Sequence, residues 1–291
     1  MQHPFGSVVT AMVTPFTADG ELDLAGIERL ASHLVDIGND GLVVNGTTGE
    51  ASTTSDGEKS EALRAVISAV GDRAIVTAGV GTNDTAHSVE LAHQAQAAGA
   101  HALLAVTPYY NRPPQSGILH HFRTLADATD LPMMLYDIPG RSVTEIATPT
   151  LIELAEHPNI LAVKDAKADL PGSARVLAAT DLLYYSGDDA LNLPLLALGA
   201  SGFVSVVGHF LAPTLVAMRR AFLDGDLEAA RRLHFSTLPT IDAVFVTQAA
   251  MTVKATLNRQ GLPGGTVRAP LVEASETDVD AVMTALEASS G

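Results

Sequence analysis

Eight short apolar runs recur along the chain with helical patterns between them, and no other feature limits the fold as strongly. They cover Ser7–Val13, Gly41–Asn45, Ala74–Ala78, Ala102–Val106, Pro132–Tyr136, Ile160–Lys164, Leu182–Ser186 and Gly202–Val206. Most are continuously apolar rather than alternating, the pattern of strands covered on both faces of a parallel sheet. Between the first two, Leu24, Ile27, Leu30, Ala31, Leu34 and Val35 follow the spacing of one helix face. Ser55-Asp56-Gly57-Glu58 reads as a capping box, and Thr148-Pro149 as an N-cap with proline in the first turn. Gly38, Gly71 and Gly99 fall where helices should stop. This series predicts an α/β fold, a (β/α)8 barrel over residues 1–224, with an open doubly wound sheet as the alternative. Residues 225–291 lack strand signals and are expected to be a helical extension packed on the barrel.

Composition narrows the function. The 291 residues hold 33 Asp and Glu against 17 Lys and Arg, a formal charge of −16. Such a surface repels phosphate backbones and anionic lipid, which disfavours nucleic-acid and membrane-surface partners. No apolar run approaches the roughly 18 residues of a membrane span, and the opening MQHPFGSVVT lacks the pattern of a secretory signal. The absence of cysteine removes disulfides, thiolate metal sites and cysteine nucleophiles. A cytoplasmic protein is expected. The lysines are only four: Lys59, Lys164, Lys167 and Lys254.

In a barrel, chemistry gathers where strands run into the loops that follow them. Strand six closes on Lys164. Burial disfavours an ammonium ion, lowers its pKa and frees the amine to attack a carbonyl; a head that snorkels to water is the plain alternative. Strand five closes on Tyr136, one strand away at roughly 4.8 Å, so amine and phenol can reach one substrate atom. Lys59 is placed on a polar helix face, Lys167 in a loop and Lys254 in a C-terminal helix, which leaves Lys164 as the candidate nucleophile. After strand two, Gly46-Thr47-Thr48-Gly49-Glu50 forms a turn able to hold a carboxylate, or simply a turn. Tyr109-Tyr110 after strand four can relay protons or pack. Arg141, in the Pro139-Gly140 turn, can grip a carboxylate or pair with a neighbouring Asp.

Other signals carry less. Gly79-Val80-Gly81 lacks the third glycine of a dinucleotide fingerprint, since position 84 is Asp. Asp188-Asp189 reads as a helix cap rather than a metal site. His120-His121 is expected on a helix surface. No Gly-x-Ser-x-Gly elbow or phosphate loop occurs.

The segments GTTGE at 46–50, TPYYN at 107–111, YDIPGR at 136–141, AVKDAK at 162–167, SGDD at 186–189 and SGFVSV at 201–206 resemble dihydrodipicolinate synthases. These belong to the pyruvate-dependent class I aldolases, with N-acetylneuraminate lyase. YDIPGR and AVKDAK are most similar to the actinobacterial type. The resemblance implies a lyase of lysine and diaminopimelate biosynthesis that needs neither metal nor organic cofactor. Lys164 would form a Schiff base with pyruvate, the Thr47-Thr48 region would bind the pyruvate carboxylate, and the enamine would attack L-aspartate 4-semialdehyde. Cyclisation would release 4-hydroxy-tetrahydrodipicolinate. Tyr136, Thr48 and Tyr110 would form a proton relay, with Tyr110 supplied by a neighbouring subunit of a homotetramer built as a dimer of dimers. Arg141 would hold the semialdehyde carboxylate, and the backbone of Val204 would face the site. A sister aldolase acting on a sugar acid or hydroxy-oxo-acid is the alternative, and a non-catalytic barrel a more distant one.

Two departures from the family pattern stand out. Many relatives have Glu-Ala-Thr-Gly after the lysine, where this chain has Asp165-Ala166-Lys167-Ala168. Relatives inhibited by lysine use a His and a Glu for the effector at positions matching Lys59 and His87. A cation in place of an ammonium ligand repels the effector, so weak or absent inhibition by L-lysine is expected.

Overall fold

The computed structural model describes residues 4–289. The eight apolar runs form β1 (Val8–Ala11), β2 (Gly41–Val44), β3 (Ile75–Gly79), β4 (Ala102–Val106), β5 (Met133–Asp137), β6 (Ile160–Asp165), β7 (Leu183–Ser186) and β8 (Gly202–Ser205). Each strand pairs in parallel with the next. β8 also pairs with β1 through Val8–Phe203, Val9–Val204 and Thr10–Ser205. This closure excludes the doubly wound sheet, because no edge strand remains.

The barrel helices are α1 (Leu24–Asp36), α2 (Asp56–Val70), α3 (Thr85–Ala98), α4 (Gln115–Asp127), α5 (Pro139–Ser142), α6 (Thr148–Leu154), α7 (Leu170–Ala179), α8 (Asn192–Leu198) and α9 (Gly208–Leu223). Three more follow: α10 (Leu227–Val244), α11 (Ala249–Arg259) and α12 (Glu276–Ser289). Both hydrogen bonds of the Ser55–Glu58 capping box form at α2. The cap expected at Thr148 does not: Ala147 takes the N-cap position and Thr148 is already helical. Gly99 closes α3 at a φ of +92°, a left-handed conformation that glycine adopts without penalty.

Strand alternation builds two apolar shells. Val9, Val43, Leu104, Met134, Tyr136 and Val204 fill the barrel. Leu103, Met133, Leu135 and Val163 point outward against helix residues such as Leu30, Val66 and Phe122. Both parities are buried, which is why the runs read as continuous rather than alternating. On β6 this places Ala162 inside and Val163 outside; Lys164, two residues from Ala162, shares the inward parity.

The chain turns between Leu223 and Leu227, where α9 gives way to α10. The segment after α11 then lies on the carboxyl-end loops of the barrel. Thr266 N–H donates to Phe16 O at 3.1 Å, and Arg268 donates to Gly20 O and to Thr53 O. Among the described residues, no helix is long and apolar enough to cross a membrane.

Candidate active site

Lys164 pairs in register with Tyr136 on one side and Tyr185 on the other. Its Nζ lies 4.1 Å from the centre of the Tyr136 ring, and the residue is 5% exposed. The head does not snorkel to water. Burial pulls its pKa down to about 8; the Asp189 charge opposes the shift and the Arg141 charge adds to it.

Burial alone does not distinguish this lysine. Lys254 is 0% exposed, and the Lys167 side chain is 7% exposed. What differs is pairing. Lys254 is ion-paired with Glu50, Lys167 with Asp137 at 3.2 Å, and Lys59 lies 3.9 Å from Asp56 and donates to Thr54 O. Among the described residues, Lys164 has no carboxylate within 4.0 Å and no hydrogen-bond partner. A buried amine without a counter-ion releases its proton most readily.

The turn after β7 shapes the space around this amine. A Cβ at Gly187 would lie 2.8 Å from Lys164 Cγ and 3.0 Å from Cε, so only glycine leaves room for the lysine stem. The two aspartates that follow divide their work. Asp188 caps a short 3-10 turn as expected, accepting from Ala190 N–H. Asp189 is no cap. Its buried carboxylate accepts from Ser205 Oγ at 2.5 Å, Val206 N–H at 2.9 Å and Val207 N–H at 3.1 Å, which ties the end of β8 beside Val204 to the lysine layer.

Tyr136 is 5% exposed. Burial raises its phenol to about 12, opposed by Arg141 and by a hydrogen bond with the Thr47 side chain. The hydroxyl that meets the phenol is therefore Thr47's, not that of Thr48, the member expected in the relay. Thr47 is exposed to the site and Thr48 is buried. The turn that carries both is tightly held: Thr14 Oγ donates to Gly49 O at 2.8 Å, and Glu50 N–H donates to Thr47 O. Gly79 and Gly81 also gain a role. A Cβ at Gly79 would meet Asn45 O at 2.2 Å and one at Gly81 would meet Val106 N at 2.3 Å, so these glycines let the ends of β2, β3 and β4 approach closely.

A cavity of about 590 Å³ opens over this layer, lined among others by Thr47, Tyr109, Tyr136, Ile138 and Arg141. Arg141 is exposed within it, and the expected alternative of an internal salt bridge fails: no carboxylate pairs with it among the described residues. Its guanidinium is free to meet an anionic ligand. The same cavity reaches Asp56, Lys59 and His87, where the His87 ring nitrogen contacts Asp56 at 2.9 Å. Tyr110 stands apart, 86% exposed and held at a φ of +72°.

His121 departs from expectation. It is buried, pairs with Thr85 Oγ at 2.9 Å, and does not lie on the surface beside His120. No group of three or more His, Cys, Asp or Glu among the described residues is arranged to hold a metal.

A (β/α)8 barrel with an unpaired buried lysine and a tyrosine on adjacent strand ends is an enzyme of the class I aldolase type, whose chemistry starts from an amine and a carbonyl. The sequence model of the "Dihydrodipicolinate synthetase family" matches residues 4–289. The chain belongs to that family. It is similar to "4-hydroxy-tetrahydrodipicolinate synthase 2" of Streptomyces coelicolor, 61% identical over 93% of this chain and 91% of that protein. The 4-hydroxy-tetrahydrodipicolinate synthase of Acidothermus cellulolyticus is 60% identical over 95% of this chain and 90% of its own. Among solved structures, dihydrodipicolinate synthase from Cyanidioschyzon merolae with lysine bound superposes with a TM-score of 0.97 at 43% identity, covering 99% of both chains.

Proposed function

We propose that the chain condenses pyruvate with L-aspartate 4-semialdehyde to give 4-hydroxy-tetrahydrodipicolinate, the committed step toward diaminopimelate and lysine. The observation that carries this is the Lys164 amine, buried without a counter-ion against the Tyr136 ring. Lys164 attacks the pyruvate carbonyl and water leaves, forming the imine. Loss of a methyl proton gives the enamine, whose carbon attacks the aldehyde. The amino group of the semialdehyde then displaces Lys164 as the ring closes.

Tyr136 moves the protons. The relay runs through Thr47, whose side chain meets the phenol, and on to Tyr110 from a second copy of the chain. The exposure of Tyr110 and its strained backbone suit a side chain presented outward to a neighbour. Thr48 and the turn's N–H groups hold the pyruvate carboxylate, Arg141 takes that of the semialdehyde, and the Val204 backbone faces the reacting centre. Residues 1–224 carry the chemistry and 225–291 brace it, in a cytoplasmic homotetramer built as a dimer of dimers.

The test is borohydride reduction in the presence of pyruvate, followed by mass spectrometry. A pyruvyl adduct on Lys164, and its loss with nearly all activity in Lys164→Ala, is the expected result. An adduct on another residue, or none, ends this mechanism. L-lysine is expected to inhibit weakly or not at all, because Lys59 puts a cation into the cavity that an ammonium effector would enter. A large fall in rate at saturating pyruvate with millimolar L-lysine would overturn that expectation.

A further inference from the structure

Glu50 directly follows the Thr47-Thr48-Gly49 turn and holds a φ of +56°, in the left-handed region that non-glycine residues rarely enter. Its carboxylate is buried, and both oxygens are used. Oε1 accepts from Lys254 Nζ, and Oε2 accepts from the Arg268 backbone N–H at 2.9 Å. Lys254 comes from α11, 204 residues away in sequence. It also donates to Thr266 O at 2.6 Å and lies 4.2 Å from the Phe16 ring centre. The Arg268 guanidinium packs on the same ring at 4.1 Å and bridges to Glu58 on α2.

This cluster is a costly way to hold two segments together. Desolvating both charges offsets most of their attraction, and a well-packed apolar pair commonly does as well or better. What an apolar pair cannot do is fix a carboxylate's direction, and with it the backbone of Glu50 in a disfavoured conformation. The charge balance matters too. Without Lys254, the Glu50 carboxylate would stand uncompensated beside a turn that must receive an anion.

We propose that Glu50, Lys254 and the Arg268 backbone form a positioning device for the Thr47-Thr48 turn, so that the C-terminal extension sets the grip on the pyruvate carboxylate. This rests on the pyruvate reading above. None of the three touches the reacting atoms; they act through the turn.

The experiment compares Lys254→Met, Glu50→Gln and the double variant Glu50→Gln/Lys254→Met with the wild type. A Val282→Ala variant, which loosens the buried face of α12 without altering Glu50, Lys254 or Arg268, serves as the stability control. Lys254→Met is expected to raise KM for pyruvate about 10–100-fold, with kcat at saturating pyruvate changed far less. The double variant should regain thermal stability, having no unpaired buried charge, yet keep the raised KM. Val282→Ala should lower the unfolding temperature without moving KM. The proposal is overturned if KM for pyruvate stays within about twofold of wild type in the double variant, or if Val282→Ala raises KM as much as the Glu50 and Lys254 variants do. Should Lys254→Met fail to fold, the Glu50→Gln and double variants decide the matter by the same criteria. Wild-type protein that forms no pyruvyl adduct with borohydride defeats the pyruvate reading itself; adduct formation with unchanged KM in the variants defeats only the positioning device.

Discussion

Lys164, the proposed nucleophile, sits in an environment that destabilises its ammonium form. An ammonium that ordinarily titrates at 10.5 does so near 8 here. Between these values the unfolded chain carries a proton that the folded chain lacks, so stability rises with pH through that window and is lowest below it. At about 1.4 kcal/mol per pKa unit, removing the ammonium should stabilise the fold by roughly 3 kcal/mol at pH 7. Lys164→Met is therefore expected to be inactive and to unfold at higher urea concentration than wild type, with the gain shrinking toward pH 10. A variant no more stable than wild type at pH 7 would show that the buried ammonium is not penalised. Lys164 and Tyr136 were legible in the sequence because each closes an apolar run at adjacent strand ends. Asp189 and Lys254 were not, since nothing local to an Asp-Asp pair or a helical lysine says which distant atoms it meets.

At the scale of elements, the strand series was readable because a parallel barrel buries both faces of every strand. The boundaries shifted where backbone pairing ends: β1 is Val8–Ala11 within the wider apolar run, and β6 continues to Asp165. Loops were harder. Gly187 in the turn after β7 carries no sequence sign of its task, yet a side chain there would meet both the stem of Lys164 and Asp165 O, the latter at 3.1 Å. Gly187→Ala is expected to keep the fold and to slow borohydride trapping of pyruvate about 10–100-fold, because the amine is displaced from its attack position. Trapping at the wild-type rate would mean that the lysine stem gives way without cost. Likewise, which of two neighbouring hydroxyls meets the Tyr136 phenol was not readable. Two adjacent threonines in a glycine-bracketed turn look alike in sequence, and only the backbone path sends Thr47 rather than Thr48 toward Tyr136.

For the whole molecule, acid sensitivity follows from buried imidazoles. His121 and His209 each have their pKa lowered from 6.5 to about 4, mainly by burial. His209 on α9 reaches the segment just after β1, accepting from Val13 N–H while its other ring nitrogen meets Val206 O. Because the folded values lie below the unfolded one, the unfolded chain binds more protons between about pH 6.5 and 4, and stability falls as pH falls through that range. Denaturation midpoints should drop between pH 7 and pH 5, by up to about 1.4 kcal/mol per histidine for each pKa unit crossed. The double variant His121→Gln/His209→Gln should flatten that dependence; an unaltered slope would assign it elsewhere. The net charge of −16 repels carboxylate substrates at long range, so the attraction proposed for Arg141 and the Thr47-Thr48 turn has to act locally.

The amino-acid pattern by itself determined the barrel, the order of its parts and the lysine–tyrosine pair, because all three depend on periodicity and on position at a strand end. Tertiary structure alone decided which lysine stands unpaired. Lys59, Lys167 and Lys254 each meet an acidic residue, and for Lys254 that partner lies at the far end of the chain. Counter-ion pairing at that separation leaves no trace in local sequence. It is set by where the closed barrel brings its loops and by where the C-terminal extension folds back onto them.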